Sequence, residues 1–376
     1  MRVVVCPDSF KGSLSAIQVA TIISNAFHEV DETTKVDCVP IADGGEGTID
    51  AFYESIGGTL YAVIVQNPMM EKIEACYLVL PDGTCVIEMA QSTGLHLVKE
   101  ELRDPLVATS YGMGEMIRHA LDAGYRRFVV GIGGSATNDG GYGLLRALGM
   151  QFFDEQGKEL AVDVLALQKV ARIDTSEFDK RVRESTWTLA CDVDNPLLGE
   201  TGATAVFGPQ KGVTKGMRLQ LEQALAQLAK VVEKQVGFAV HEVAGAGAAG
   251  GVGMALLAYF PVALKRGIDV VSRTTGLVDK IAHADYVITG EGYSDHQTLN
   301  GKAPLGIAKL AQQLQIPVVL LSGKVAGESR QALQTHFSII MAAADEQMST
   351  AFAMDNAVDL LFARAKKLAQ QLKETL

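Results

Sequence analysis

The sequence lacks any cluster of lysine and arginine, and its 33 basic residues are outnumbered by 44 acidic ones. The formal net charge is therefore −11. A protein that binds nucleic acid needs concentrated positive charge, so we expect no nucleic-acid partner. Long apolar runs are also missing, and the longest fall short of the ~20 residues that cross a bilayer. We expect no membrane partner either.

Cysteine is scarce, with five residues in 376, and no two of them have C-x-x-C spacing. Such usage is typical of a reducing compartment. Cys6 and Cys38 lie in apolar segments, where a free thiol behaves as a small hydrophobe. The N-terminal segment becomes acidic at Asp8, too soon for a signal peptide. We therefore expect a cytoplasmic protein.

Proline is rare too, since ten prolines stand against 38 glycines, and the glycines follow no collagen-like period. This balance favours tight turns between strands and helices, and loops that approach ligands closely. The chain is 48% hydrophobic and 20% charged, which provides for a large core. At ~150 residues per domain, its length indicates two domains.

Five apolar runs, typical of strands buried in a parallel sheet, alternate with helical stretches. They lie at residues 3–6, 36–42, 286–289, 318–321 and 337–341. Short strands and a Pro81-Asp82-Gly83 hairpin turn interrupt this alternation between about residues 60 and 100. The sequence therefore predicts an α/β fold. A flavodoxin-like parallel sheet domain (residues 1–60 and 284–376) is interrupted by a second, inserted mixed α/β domain (residues 61–283).

Two helices carry clear boundary signals. Ser15 and Gln18 have the spacing of a capping box, which predicts a helix that starts at Ala16. A later apolar stripe runs at helical spacing from Met217 to Val232, and Gly237 follows it, as glycine does at many helix ends. We expect that stripe to be part of the core.

A glycine-rich segment, Gly131 to Gly141, lies between an apolar strand and a helical stretch. Glycine amides close to a helix start can bind an anion, most plausibly phosphate. The candidate donors are Gly133, Gly134, Ser135, Thr137 and Asn138. The alternative is a tight turn, because the run matches neither the P-loop nor the dinucleotide fingerprint. Asp139 either faces a metal or caps the helix.

Carboxylates follow several predicted strands. Asp192, with Asp194 beside it, ends an apolar strand, and Mg²⁺ prefers such oxygens together with substrate phosphates. Alternatively, Asp194 only forms a turn before Pro196. Asp295 follows another strand and is a candidate general base or metal ligand.

The loops after the first two strands contain Asp8, Lys11 and Asp43. A small anionic substrate would need a cation and hydrogen-bond acceptors of this kind. Because the carboxyl ends of parallel strands meet at one edge of a sheet, we expect these residues to lie near one another. The alternatives are that Asp8 is a turn residue and that Lys11 is a surface charge.

A second small-residue loop contains Gly247, Gly250 and Gly251 and enters a helix. These glycines either approach phosphate or allow close packing of backbone on backbone. Lys302 opens a helix further along the chain. It either pairs with phosphate or is a solvated residue of the first turn.

Six loops, taken in order, are far more specific than any one of them. They are Pro7-Asp8-Ser9-Phe10-Lys11-Gly12, Ala42-Asp43-Gly44-Gly45-Glu46-Gly47-Thr48, Gly133-Gly134-Ser135-Ala136-Thr137-Asn138-Asp139-Gly140-Gly141, Cys191-Asp192-Val193-Asp194-Asn195-Pro196-Leu197, Phe207-Gly208-Pro209-Gln210-Lys211-Gly212 and Thr289-Gly290-Glu291-Gly292. Together they resemble the bacterial type I glycerate kinase family. The resemblance implies transfer of the γ-phosphoryl group of ATP to D-glycerate, with 2-phosphoglycerate favoured over 3-phosphoglycerate.

We use this resemblance to assign hypothetical roles. The glycine loops at 133–138 and 245–251 would hold the phosphates of ATP, and Mg²⁺ would lie near Asp192, shared with Asp295. Phosphoryl transfer needs alignment and charge neutralisation above all, together with a group that accepts the hydroxyl proton.

The substrate side of this hypothesis rests on three residues. Lys11 would hold the carboxylate of glycerate, while Asp8 or Asp43 would orient the attacking hydroxyl. The family has a basic residue where this chain has Tyr293, so Lys302 or Lys11 would have to replace it.

Two alternatives remain open from the residues. One is a non-catalytic protein that binds a small carboxylate or a sugar phosphate, although a binder of anions gains little from the carboxylate-bearing loops. The other is a kinase of a different small hydroxy acid. The residues argue neither for nor against a homo-oligomer.

Overall fold

The structure of the protein is a computed structural model. It describes residues 1–41, 45, 47–300 and 302–375. The chain forms two compact units. The first unit comprises Met1–Asp43, Asp50–Gly57 and Arg266–Leu376, and the second comprises Gly44–Ile49 and Gly58–Lys265.

Strands occur throughout both units. They are β1 Arg2–Pro7, β2 Lys35–Cys38, β3 Thr59–Gln66, β4 Lys72–Val79, β5 Cys85–Glu88, β6 Arg127–Gly131, β7 Gln151–Phe153, β8 Arg172–Asp174, β9 Thr186–Ala190, β10 Val262–Lys265, β11 Tyr286–Gly290, β12 Tyr293–Ser294, β13 Val318–Ser322, β14 Lys324–Val325 and β15 Ile339–Ala342.

Helices connect most of these strands. They are α1 Ala16–Val30, α2 Thr48–Ile56, α3 Ala90–Thr93, α4 Tyr111–Asp122, α5 Tyr142–Ala147, α6 Arg181–Glu184, α7 Ala203–Phe207, α8 Lys215–Val236, α9 Ala248–Tyr259, α10 Gly267–Thr274, α11 Leu277–Ala282, α12 Ala303–Gln313, α13 Arg330–Leu333, α14 Thr350–Asp355 and α15 Ala357–Thr375. Short 3-10 helices lie at Leu95–Leu97, Glu100–Leu102, Leu165–Lys169, Pro209–Lys211, Val240–Glu242, His296–Asn300 and Gly327–Ser329.

The first unit is built on a parallel sheet of order β15-β13-β11-β1-β2. Each of the five apolar runs supplies one of its strands. The run predicted at 36–42 forms the strand Lys35–Cys38, and residues 39–41 lie outside it. Helices α1 and α15 bury their apolar stripes against the strands, as Phe27 and Leu368 illustrate. This packing is what a parallel strand without a polar face requires.

The second unit has a mixed sheet of order β10-β9-β6-β5-β4-β3. The hairpin turn predicted at Pro81-Asp82-Gly83 joins the antiparallel pair β4–β5, and β3 is antiparallel to β4. Strands β5, β6, β9 and β10 are parallel to one another. The mixed α/β architecture with parallel sheets is thereby confirmed, and the carboxyl ends of β5, β6 and β9 meet at one edge.

Both predicted helix boundaries are confirmed. The Ser15 hydroxyl accepts from the Gln18 amide at 3.2 Å, and the Gln18 side-chain oxygen accepts from the Ser15 amide at 2.9 Å. Helix α8 ends at Gly237, whose φ of +85° is the left-handed conformation that glycine adopts readily. Within the described residues, no helix is long and apolar enough to cross a membrane.

Candidate functional site

In the first unit, the loops that follow β1, β2 and β11 meet at the carboxyl edge of the sheet. The Asp8 amide donates to the Gly290 carbonyl at 2.8 Å, and the Ile41 amide donates to the Pro7 carbonyl at 2.9 Å. The Asp8 carboxylate accepts from the Ser9 amide at 2.6 Å. Neighbouring strand ends therefore place these loops together, as parallel pairing predicts. Asp43 lies outside the described residues.

A buried carboxylate holds the loop that follows β11. Glu291 accepts from the Ser294 hydroxyl at 3.2 Å and from the Thr298 hydroxyl at 2.6 Å. Its other oxygen accepts from the Lys302 ammonium at 3.0 Å. Burying a carboxylate is costly unless hydrogen bonds and a counter-charge compensate it, and here both are present. Sequence reasoning missed this role for Glu291, although its place directly after a buried strand was the available signal.

Three other residues of this loop region, Lys302, Asp295 and Tyr293, stood out in the sequence. Lys302 is engaged with Glu291, and its side chain remains 41% exposed. The Asp295 carboxylate accepts from the Gln297 amide at 2.8 Å in a local turn. Tyr293, which stands where a basic residue was expected, is 52% exposed. Lys11 is exposed as well, so this edge of the first unit offers a cation at Lys11 and carboxylates at Asp8 and Asp295.

In the second unit, the glycine-rich loop follows β6 and presents unused backbone donors. Its carbonyl at Gly134 accepts from the Leu95 amide at 2.7 Å, and the Ala136 amide donates to the Thr93 carbonyl at 2.9 Å. Within the described part of the chain, the amides of Gly133, Gly134 and Ser135 donate to no acceptor. Gly134 is exposed. The loop is thus anchored at the Gly134 carbonyl and the Ala136 amide, and its three neighbouring amides can still bind a ligand.

The helix after this loop does not add donors. Asp139 is buried, and its carboxylate accepts from the amides of Gly141 at 3.0 Å and Gly143 at 3.1 Å. It also accepts from the Ser110 amide and hydroxyl, both at 2.8 Å. Of the two roles considered for Asp139, the structure shows the helix cap. The first-turn amides of α5 are consequently occupied, and the anion site is reduced to the loop itself.

Of the remaining candidate donors in this loop, Thr137 and Asn138 are fully buried. The Asn138 amide nitrogen donates to the Thr204 hydroxyl at 3.1 Å. The Thr137 hydroxyl has no partner among the described residues. The Thr137 carbonyl and the Ser135 hydroxyl both accept from the ammonium of Lys211, at 2.6 Å and 2.8 Å.

Lys211 lies in the 3-10 helix Pro209–Lys211 and is completely buried. Burial lowers its pKa from the ordinary 10.5 to about 7, and the negative charge of Asp139 opposes this shift. In the sequence, Lys211 stands out only as a member of one of the six loops that carry the family resemblance. Its burial could not be recognised from the sequence, because the loop has no apolar pattern.

The second small-residue loop packs against the first. A Cβ added at Gly250 would lie 2.0 Å from the Thr137 carbonyl oxygen, and one at Gly247 would lie 2.1 Å from the Pro196 carbonyl oxygen. Gly250 and Gly251 have φ of +68° and +93°. Close backbone packing therefore explains these glycines without a ligand, and contact with phosphate stays a prediction for Gly247, Gly250 and Gly251.

This packing also brings in the loop that contains Asp192. The Gly247 amide donates to the Asn195 carbonyl at 3.0 Å. The loop that contains Gly247 and Gly250 therefore contacts both the loop after β6 and the loop after β9. Asp192 and Asp194 are both exposed.

Burial raises the pKa of the neighbouring Cys191 thiol to about 11, so it is not a thiolate nucleophile at neutral pH. No cluster of three or more metal-binding side chains occurs among the described residues.

A further buried carboxylate, not predicted from the sequence, lies at the end of β5. Glu88 is fully buried and accepts from the Gly47 and Ile49 amides, both at 3.0 Å. It pairs in register with Gly131, where the glycine-rich loop starts. Glu88 thus fixes a short segment of the second unit beside that loop.

At the carboxyl ends of its parallel strands, the protein has a loop with unused amides, exposed carboxylates and buried charged residues that hold the loops. These features are typical of an α/β enzyme that binds phosphate. The comparisons with known proteins are more specific. The family model described as "Glycerate kinase family" matches residues 3–373. A glycerate kinase of Bacillus subtilis (strain 168) is 41% identical over 374 residues, which cover 99% of this chain and 98% of the relative.

A protein of Escherichia coli (strain K12) named glycerate 2-kinase is 43% identical and covers 86% of each chain. A crystal structure of a protein from Salmonella typhimurium LT2 has a TM-score of 0.86 at 41% identity, and the match covers 100% of this chain and 99% of that protein. The chain belongs to the glycerate kinase family, whose members are ATP-dependent phosphotransferases. It is an enzyme, and the alternative of a binding protein without chemistry is set aside.

Gly250 and Gly237 form a matched pair that separates steric contact from backbone strain. Both have a positive φ, but a Cβ at Gly237 meets nothing within 4 Å. Gly237→Ala should therefore cost about 1–2 kcal/mol of unfolding free energy from the left-handed backbone alone. Gly250→Ala should cost about 1–3 kcal/mol more, because the Thr137 peptide must move. Denaturant unfolding measures both, and equal losses would contradict the packing described here.

Lys211 should make stability depend on pH. Its folded pKa of about 7 lies below the ordinary 10.5, so between these values the unfolded chain holds more protons. The free energy of unfolding should therefore rise with pH across this window, by up to about 1.4 kcal/mol per pH unit. Urea unfolding from pH 7 to 9 should show this rise relative to Lys211→Met. Lys215→Met, at an exposed lysine, serves as control and should follow the unmodified protein. If the free energy of unfolding depends on pH in the same way for all three proteins, the pKa of Lys211 is not lowered in the folded state.

Proposed function

We propose that this enzyme transfers the γ-phosphoryl group of ATP to the 2-hydroxyl of D-glycerate and forms 2-phosphoglycerate. The observation that carries the proposal is the anchored loop with unused amides at Gly133, Gly134 and Ser135, in a chain of the glycerate kinase family. Such amides stabilise negative charge on phosphate without rearrangement. The 2-position is supported by the name of the Escherichia coli relative.

On the nucleotide side, we assign the phosphate contacts to the amides of Gly133, Gly134 and Ser135. Thr137 and Asn138 belong to the same loop, but their side chains are buried. Gly250 would then act on ATP through the shape that it imposes on the Thr137 segment, while Gly247 packs against the Pro196 carbonyl and Gly251 against Gly140. Lys302 already donates to Glu291 at 3.0 Å. To act on a phosphate, its ammonium would have to contact the phosphate while it remains paired with Glu291.

On the glycerate side, we assign the substrate carboxylate to Lys11, whose exposed ammonium is a suitable counter-charge. Asp8 or Asp43 would accept the proton of the attacking hydroxyl. Asp8 is supported by its position directly after β1, where Gly290 fixes its backbone. Asp295 is an alternative acceptor, held in its turn by Gln297.

The family chemistry implies Mg²⁺, and the donor set is compatible with it. In kinases Mg²⁺ uses one or two carboxylates together with substrate phosphates, so a cluster of three protein ligands is not needed. Exposed Asp192, with Asp194 two residues on, provides such oxygens, and Asp295 is the further candidate. The ion would neutralise charge on the phosphates.

We also infer that the first unit is a flavodoxin-like domain interrupted by the second. Numbered in chain order within the five-stranded sheet, the order β2-β1-β11-β13-β15 reads 2-1-3-4-5, which is the flavodoxin-like order. The segments that make up the two units are consistent with an insertion.

The proposed reaction predicts one product. Phosphorus NMR after incubation with MgATP and D-glycerate should show ADP and the resonance of 2-phosphoglycerate. A 3-phosphoglycerate resonance would overturn the proposed position of transfer. ATP that stays intact with D-glycerate, but is consumed with another small hydroxy acid, would overturn the proposed substrate.

Asp192→Asn should lower kcat by at least about 100-fold while the unfolding midpoint changes little, because an exposed carboxylate contributes mainly to charge neutralisation of the phosphates. Asp355→Asn removes an exposed carboxylate from helix α14 and should leave kcat unchanged. Near-normal turnover of Asp192→Asn, at saturating MgATP, would remove Asp192 from the proposed site.

A further inference from the structure

Lys211 is buried, and among the described residues its side chain is held only by neutral hydrogen-bond partners. Its ammonium donates to the Ser135 hydroxyl at 2.8 Å and to the Thr137 carbonyl at 2.6 Å. Its charged counterpart, Asp139, already accepts four hydrogen bonds, from Ser110, Gly141 and Gly143. Burying a lysine in this way is unfavourable, and an apolar side chain of similar volume would generally pack there at lower cost.

The hydrogen bond from Lys211 determines what Ser135 can do. While Lys211 is charged, its ammonium can only donate, so the Ser135 oxygen accepts and the Ser135 proton is directed elsewhere. Among the described residues, the Ser135 hydroxyl donates to no acceptor. The amides of Gly133, Gly134 and Ser135 also lack acceptors there. One hydroxyl and three amides of consecutive residues therefore form a single set of unused donors.

The second bond of Lys211 acts on the other end of the loop. The Thr137 carbonyl that accepts from Lys211 is the same group that Gly250 approaches. The peptide after residue 137 therefore cannot turn without breaking this hydrogen bond or colliding with the Gly250 backbone. Lys211 fixes the loop at both Ser135 and Thr137.

We propose that Lys211 is a positioning residue for the nucleotide: it orients the Ser135 hydroxyl and the Thr137 peptide so that the loop presents its donors to a phosphate of ATP. This inference rests on the proposed function. Lys211 itself need not contact the nucleotide. An anion bound to this loop would in turn favour the charged form of the lysine.

A purely structural role makes a different prediction. If Lys211 only connects the Pro209–Lys211 turn to the core, its loss reduces the amount of folded enzyme and lowers Vmax. The KM values of the remaining folded enzyme then stay the same for both substrates. A positioning role on the phosphate loop instead raises the KM for ATP and leaves the KM for D-glycerate unchanged.

The test is steady-state kinetics of Lys211→Met, with ATP and D-glycerate varied separately. We expect the KM for ATP to rise at least about tenfold, as the loss of a well-placed donor to a charged group would produce. The KM for D-glycerate should change less than about twofold. Lys215→Met removes an exposed lysine four residues away and should match the unmodified enzyme.

Ser135→Ala provides an independent measurement. It should also raise the KM for ATP, and the double variant with Lys211→Met should show a smaller rise than the product of the two single effects, because the two residues act through one hydrogen bond. An unchanged KM for ATP in folded Lys211→Met, or an equal rise in both KM values, would overturn the proposal. If Lys211→Met does not fold, Ser135→Ala is decisive by the same criterion.

Failure of the proposed function can be distinguished from failure of this inference. If the unmodified enzyme does not phosphorylate D-glycerate, the proposed substrate is wrong. Calorimetric titration with MgATP then still compares the unmodified enzyme with Lys211→Met. A tenfold weaker affinity would support the role of Lys211, and equal affinities would refute it.

Discussion

The carbonyl group of Thr137 joins three segments of the second unit. It accepts from Lys211 at 2.6 Å, and its oxygen occupies the space that a Cβ at residue 250 would need. Only glycine can stand at that position, because any side chain would displace this peptide. The position of the Thr137 peptide in the glycine-rich loop depends on this close approach.

Buried charges fix the loops of both units before any ligand binds. Glu291, Glu88 and Asp139 each accept hydrogen bonds from two or more groups. A carboxylate has several lone pairs, so neighbouring amides and hydroxyls can compensate its burial locally. Lys211 is the contrasting case, since its partners are neutral and its pKa falls to about 7. Loops held in this way lose little entropy when they bind phosphate, which favours affinity and alignment.

Local signals in the sequence were reliable where local interactions decide the structure. The capping pair Ser15 and Gln18, and the helix end at Gly237, depend on atoms a few residues apart, and both predictions are confirmed. The apolar runs of the parallel sheet were recognisable for a related reason, because a strand buried on both faces excludes polar residues. The pairing of Lys302 with Glu291, eleven residues apart, was not recognised, since both residues also suit a solvated loop.

The sequence by itself determined the class of protein, because six loops in a fixed order carry residue types that few other arrangements require. It also determined the start of helix α1 at Ala16 and the end of helix α8 at Gly237. Only the tertiary structure decided which polar groups are already engaged: Asp139 caps a helix and Lys211 holds Ser135, 76 residues away. Burial and pairing of this kind depend on segments that fold together from distant parts of the chain, and no local pattern records them.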